Sequence, residues 1–145
     1  MTLDLDAVAA TRLRAIGQRY TTNRQAVVQI LAAAGQPLAI PEILDARAGL
    51  AQSSLYRNLA VLEQAGVVHR IVTSSDFARF ELAEDLTEHH HHLICSACGA
   101  VEDFTAPAEL ERTMTRVMRD VERAAGFSPE RHRIDLVGRC SRCAS

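Results

Sequence analysis

His-His-His-His-Leu-Ile-Cys-Ser-Ala-Cys-Gly, residues 89–99, is the stretch on which the reading of this chain turns. Four consecutive histidines run into an apolar pair and a C-x-x-C motif. A second C-x-x-C, Cys140 to Cys143, stands 41 residues beyond the first. Cys95, Cys98, Cys140 and Cys143 are the only cysteines of the chain. Two such pairs read as one tetrahedral zinc site of four thiolates, each C-x-x-C folding as a knuckle that aims two sulfurs at the ion. Gly99 gives the first knuckle its backbone freedom. Two redox pairs or two disulfides are the alternatives, but a redox pair belongs at a strand-to-helix junction, which neither motif has. Structural zinc is worth roughly 10–16 kcal/mol, enough to dominate the stability of this part of the chain.

The histidines add a second pattern. If 89–95 is a strand, its side chains alternate between faces. His90 and His92 then point one way, and His89 and His91 point the other way with Leu93 and Cys95. Two imidazole pairs on opposite faces can seed two separate metal sites; a solvated polar strand end is the plainer alternative.

Working outward, residues 1–66 read as short helices between tight turns. Helical apolar spacing covers 3–17, 24–35, 40–49 and 54–66, and these stretches end at or beside Gly17, Gly35, Gly49 and Gly66. Thr21, Thr22 or Asn23 can cap the second helix, and Gln52, Ser53 or Ser54 the fourth. Pro41 suits a first helical turn. VVHRIV and FARFEL then flank the turn TSSD at 73–76, a hairpin following the last helix, as in a winged helix. An acidic linker occupies 83–88. Beyond it come strand 89–95, the knuckle, strand 100–104, a helix from Pro107 to Gly126, and strand 132–138. The expected organisation is α+β: a winged helix-turn-helix domain (1–82), a linker (83–88) and a small C-terminal α/β domain with the four-cysteine zinc site (89–145).

Composition bounds the function. The chain has 145 residues, of which 48% are apolar, enough for a buried core. No apolar run is long enough to span a membrane and no secretory leader is evident, so a cytoplasmic protein is expected. The net charge is −2, which gives no whole-molecule basic field. Residues 1–82 carry eight arginines against seven acids, and residues 83–145 eight against eleven. In the helix at 54–66, Leu55, Leu59 and Leu62 form a core-facing stripe, while Ser53, Ser54, Tyr56, Arg57 and Asn58 gather at its N-terminal end, off that stripe. Such residues can read base edges and phosphates, Arg57 as a partner for guanine. Arg19, Tyr20 and Arg24 stand where an earlier helix could grip the DNA backbone. An ordinary amphipathic surface helix is the alternative. A zinc hydrolase is disfavoured, because the chain lacks H-E-x-x-H and shows no general base beside an open metal position; no enzyme is expected.

Taken together, SSLYRNLAVLEQAGVV, FEL, HHHHLICSACGAVEDF and GFSPERHRIDLVGRC resemble the ferric uptake regulator (Fur) family of metal-responsive bacterial repressors, over about residues 10–143. The resemblance implies a homodimer that binds double-stranded operator DNA when loaded with metal. Cys95, Cys98, Cys140 and Cys143 match the structural zinc ligands. Glu81, His90 and His92 match ligands of a regulatory hinge site. His89, His91 and His132 match a further site with an acid from the long helix, placed at Glu111 with Glu109 second. The chain departs from its iron-type relatives at Leu38, where they supply a histidine. It departs from zinc-type relatives at Ala83, where they supply a cysteine, and at His69, where they supply an aspartate. The expected hinge site is therefore His69, Glu81, His90 and His92, with His69 facing DNA or solvent as the alternative. Such a set suits Zn²⁺ tetrahedrally, and Fe²⁺, Ni²⁺ or Mn²⁺ where water joins it. The function implied is metal-dependent repression in zinc or iron homeostasis, or else a peroxide-sensing, nickel or manganese regulator of the same family. Peroxide sensors carry Asp where Glu81 stands.

Overall fold

In a computed structural model, which describes residues 3–73 and 78–144, α1 (Leu5–Ala15) begins where the Asp4 carboxylate accepts the Ala7 N–H. Thr21 does the same for α2 (Thr22–Ala34) through the Arg24 N–H, and Gly35, with φ at +66°, ends it. Pro41 lies in the first turn of α3 (Ile40–Ala46). The fourth helix, α4 (Gln52–Gln64), starts two residues earlier than its spacing indicates, after Ala51, which offers no side-chain cap. Gln52, Ser53 and Ser54 form its first turn instead of capping it, because the Leu55 N–H already donates to the Ala51 carbonyl at 2.9 Å.

Past Gly66 the chain turns into β2 (Val68–Ile71), which pairs antiparallel with β3 (Arg79–Leu82). On the other edge of β3 lies β1 (Leu38–Ala39), a strand the sequence did not indicate since two residues carry no periodicity; the sheet order is β1-β3-β2. The turn expected at 73–76 lies outside the described residues except for Thr73, as does Phe77. Ala9, Leu13, Val27, Val28, Ile43, Leu55, Leu59, Leu62, Val67 and Phe80 form one buried core under this winged helix. At about 1.5–3 kcal/mol for each fully buried large apolar side chain, this cluster supplies the driving force for the N-terminal half. Within the acidic linker, Glu84–Leu86 form a single 3-10 turn. Arg12 ties α1 to that linker, donating to the Gly66 carbonyl at 2.7 Å and pairing with Asp85.

The C-terminal half is a second sheet, ordered β5-β4-β6: β4 (His91–Cys95), β5 (Val101–Phe104) antiparallel to it, and β6 (Asp135–Gly138) parallel to it. Two strands are shorter than their apolar runs indicate. β4 begins at His91 rather than His89, and β6 at Asp135 rather than His132. Ahead of each, polar groups take side-chain or local partners instead of extending the ladder: His90 Nδ1 donates to the Glu88 carbonyl, and the Ile134 N–H donates to His91 Nδ1. Between β5 and β6 runs α5 (Ala108–Ala125), ended by Gly126 in the left-handed region. It buries none of its residues, and Leu110, Val117 and Val121 stay exposed on it. Among the described residues, no helix is long and apolar enough to cross a membrane.

Candidate metal centres and DNA-facing helix

The parallel register of β4 and β6 sets Cys95 against Gly138. The two knuckles therefore leave the sheet side by side, and all four cysteine sulfurs lie within 4.8 Å of one another. Cys98 Sγ and Cys140 Sγ are 3.8 Å apart, close to the edge of a tetrahedron with zinc–sulfur bonds of about 2.3 Å. The backbone N–H groups of Cys140 and Cys98 each donate to Cys95 Sγ at 3.4 Å, and they pull its thiol down to about 5. That sulfur is a thiolate at neutral pH, the form a metal needs. Bonds to Cys140 and Cys98 push the Cys143 thiol up to about 12. The donor set fits Zn²⁺.

A second cluster joins Glu81 of β3 to His90, His92 and Asp103. His90 Nε2 lies 3.0 Å from Glu81 Oε2, and His92 Nε2 lies 3.0 Å from Glu81 Oε1. Asp103 stands 3.7–3.8 Å from both imidazoles. The Glu88 carbonyl accepts from His90 Nδ1 at 2.8 Å. The proton of the neutral ring is therefore on Nδ1, and Nε2 presents a lone pair to a carboxylate. His92 Nε2 approaches Glu81 without hydrogen-bond alignment, and among the described residues it and Asp103 Oδ1 are buried with no hydrogen-bond partner. Acceptors facing acceptors in a buried place call for a cation. Without one, the imidazoles hold protons: burial pushes His90 and His92 down, but the Glu88 carbonyl (for His90), Glu81 and Asp103 outweigh it and leave both above the ordinary value. Burial pushes Glu81 up, yet His92 and His90 outweigh it and hold its carboxyl low. Asp103 is raised by burial.

His69 stands outside this group of four. It faces Glu81 across the β2–β3 pair and shares with Glu81, His90 and His92 the lining of a cleft of about 470 Å³. Burial lowers its pKa, opposed by Glu81. The structure brings in Asp103 instead, a residue the sequence reading missed. The signal was available: a tight hairpin around the Cys95–Gly99 knuckle pairs Ile94 with Val101, which sets His92 opposite Asp103.

On the other face of β4 lie His89, His91, Glu111 and His132. Glu111 Oε1 is 2.5 Å from His91 Nε2, and Glu111 Oε2 is 2.7 Å from His132 Nε2. Glu109 lies exposed in the first turn of α5, outside the cluster. His89 Nδ1 contacts Glu84 of the linker, so its Nε2 faces Glu111 and His132. The arrangement is that of a carboxylate orienting a ligating imidazole. His91, fully buried, differs: its Nδ1 accepts the Ile134 N–H at 3.1 Å, which places its proton on Nε2, donated to Glu111.

A profile of the ferric uptake regulator family matches residues 15–137. The chain belongs to that family. The peroxide-responsive repressor PerR of Staphylococcus saprophyticus is 28% identical over 137 residues, 92% of this chain and 87% of that protein. Among solved structures, the Helicobacter pylori ferric uptake regulator Fur, described with three functional metal binding sites, superposes at a TM-score of 0.75 with 25% identity, covering 99% of this chain and 96% of that one. A zinc-bound manganese uptake regulator superposes at 0.65 with 27% identity, over 95% and 99% of the two chains. This chain is accordingly a transcriptional regulator of the Fur family, with a fold of mixed helices and sheets and a clustered four-cysteine site.

In this Fur-family chain, Ser53, Tyr56 and Arg57 lie exposed on the first turns of α4, with Ser54 half-buried beside them. Arg57 makes no side-chain hydrogen bond or ion pair among the described residues, so its guanidinium is available to a partner. Arg19 is exposed just before α2. Tyr20 and Arg24 are engaged internally. The Tyr20 hydroxyl donates to Asp6 at 2.7 Å. Arg24 donates to Asn58 of α4 at 3.0 Å and to the Arg19 carbonyl at 2.8 Å, bracing α2 against α4.

Proposed function

We propose that this chain is a metal-dependent repressor that binds double-stranded operator DNA as a homodimer in the cytoplasm. The observation that carries this reading is the Glu81–His90–His92–Asp103 cluster: one carboxylate from the wing meets three ligating groups of the C-terminal half, and among the described residues His92 Nε2 and Asp103 Oδ1 are buried there without a hydrogen-bond partner. An ion there supplies a bridge between wing and sheet, so the angle between them depends on occupancy. Zn²⁺ or Fe²⁺ fits two imidazoles and two carboxylates, with Mn²⁺ or Ni²⁺ as further candidates. Ion binding shifts the population by the difference in its affinity for the closed and open arrangements. Cys95, Cys98, Cys140 and Cys143 hold a structural Zn²⁺, and His89, Glu111 and His132 form an additional site, which His91 joins as a ligand only by releasing the Ile134 N–H from Nδ1. The exposed apolar residues of α5, with Phe127, Leu136 and Val137, support a face covered by a second copy of the chain. Ser53, Ser54, Tyr56 and Arg57 meet the operator, and Arg19, Tyr20 and Arg24 lie toward its backbone.

The test is to strip labile metal while retaining the cysteine-bound zinc, then restore Zn²⁺, Fe²⁺, Mn²⁺ and Ni²⁺ singly and measure DNA binding. Operator affinity that is unchanged by stripping overturns the reading. Asp103→Ala is expected to weaken the hinge ion by about tenfold or more and His69→Ala by less, since His69 is not in the tight group. The reverse order would return His69 to the ligand set. Peroxide sensing is the second reading, favoured by the similarity to the staphylococcal PerR and opposed by Glu81 in place of Asp. Oxidation of His90 or His92 in the iron-loaded protein after peroxide, read by mass spectrometry, would decide for it.

A further inference from the structure

The two halves also meet at a place that involves none of the candidate ligands. Arg79 opens β3, in the wing, and its side chain is 15% exposed. Its Nε donates to the Gly99 carbonyl at 2.7 Å, and its Nη1 donates to Glu42 Oε1 at 2.6 Å. Gly99 closes the first cysteine knuckle, where its N–H donates to the Cys95 carbonyl at 2.9 Å. Glu42 lies in the first turn of α3, and the same Oε1 accepts the Ala39 N–H at 3.0 Å. One guanidinium thus joins the turn of the sulfur cage to the start of a helix that packs on α4. Directly opposite Arg79 in the wing register is Ile71, which is buried with Ile94 and Val101, the residues that flank the knuckle. The charged link sits beside a small apolar contact between the same two parts.

We propose that Arg79 is a positioning residue for the metal response: it couples the cysteine cage to the reading head and holds part of the population closed before the hinge ion binds. The inference rests on the metal-dependent reading above. A planar fork with both donors engaged fixes direction as well as distance, which a lysine ammonium does not. If a fraction of the metal-free protein is already closed, the apparent affinity for the hinge ion scales with that fraction. Loss of Arg79 lowers the fraction, so more metal is needed for the same DNA occupancy. The closed state itself, once the ion has formed it, is unaltered.

The experiment titrates Zn²⁺ and Mn²⁺ separately into zinc-caged full-length protein and follows operator binding for the wild type, Arg79→Met, Arg79→Lys and Glu42→Gln. Arg79→Met should raise the metal midpoint by about threefold or more, with operator affinity at saturating metal within about twofold of wild type. Arg79→Lys should fall between the two. Glu42→Gln, which leaves the Gly99 bond in place, should shift the midpoint the same way by less, and it serves if Arg79→Met does not fold. Small-angle scattering of the metal-stripped proteins should show Arg79→Met more expanded than wild type. Midpoints equal to wild type in Arg79→Lys and Glu42→Gln overturn the proposal. So does a loss of affinity at saturating metal as large as the midpoint shift, which would place Arg79 at the DNA. A wild type whose binding ignores metal overturns the repressor reading instead, and scattering still reports on Arg79.

Discussion

In the N-terminal half, Leu13, Ile43, Leu55, Leu59 and Leu62 are almost wholly removed from water; in the C-terminal half, the 18 residues of α5 include none that is buried. The first half places its apolar residues on facing helix stripes and a three-stranded sheet, and burial alone can hold it. The second half has a minor apolar cluster shared with Ile71 of the wing, two clusters of histidines and carboxylates, one of them completed by Glu81 of the wing, and four converging sulfurs. On the proposed reading, an ion in the cage and a second copy over α5 would tie the stability of its small sheet to ligands and to protein concentration. Such dependence would suit the metal-dependent switch proposed above.

The largest effect that would break this comparison is removal of the cage. Cys140→Ser should abolish structural zinc and, with roughly 10–16 kcal/mol at stake, unfold the C-terminal half while the winged helix stays folded. Elemental analysis with amide exchange reads both; a zinc-free mutant with a protected C-terminal sheet would contradict it. Leu59→Ala tests the other side. It should cost about 2–5 kcal/mol in denaturant unfolding of the winged helix and leave zinc content unchanged.

A smaller effect follows from pH. His90 and His92 titrate above 6.5, and the hinge ion needs both neutral. Its affinity is therefore full above those raised values and falls as pH drops through them, approaching about a hundredfold per pH unit once two protons are released per ion. In the metal-free protein the sign reverses. The protonated imidazoles beside Glu81 contribute stability that is fully present below 6.5 and lost as pH rises through the folded values. Thermal melts with and without metal across pH 5.5–8 should slope in opposite directions (a range set around the ordinary imidazole value near 6.5). The smallest effect leaves both halves intact: Arg57→Ala should weaken operator binding by about 1–3 kcal/mol with no change in metal affinity.

Much of this was legible in the sequence for one reason: local spacing encodes local geometry. The alternation of His89 and His91 against His90 and His92 needed only strand periodicity, and the Leu55–Leu59–Leu62 stripe only helical periodicity. What the spacing alone missed depends on pairing across space. Asp103 enters the hinge cluster through the β4–β5 register. β1 exists because β3 has a free edge beside Leu38. Arg79 reaches Gly99, twenty residues on, because the wing folds back over the knuckle. Tyr20 and Arg24 carry the residue types of DNA contacts and also bond Asp6 and Asn58, partners visible only once α1, α2 and α4 are packed.

His91 and His92 are consecutive residues of one strand, each feeding a different cluster. An ion held by one imidazole would act on the peptide shared with the other. By linkage, whatever factor one ion imposes on its neighbour's equilibrium constant is returned unchanged. Were both clusters to hold ions, their occupancies would be coupled through one strand, and DNA binding would answer to the two together.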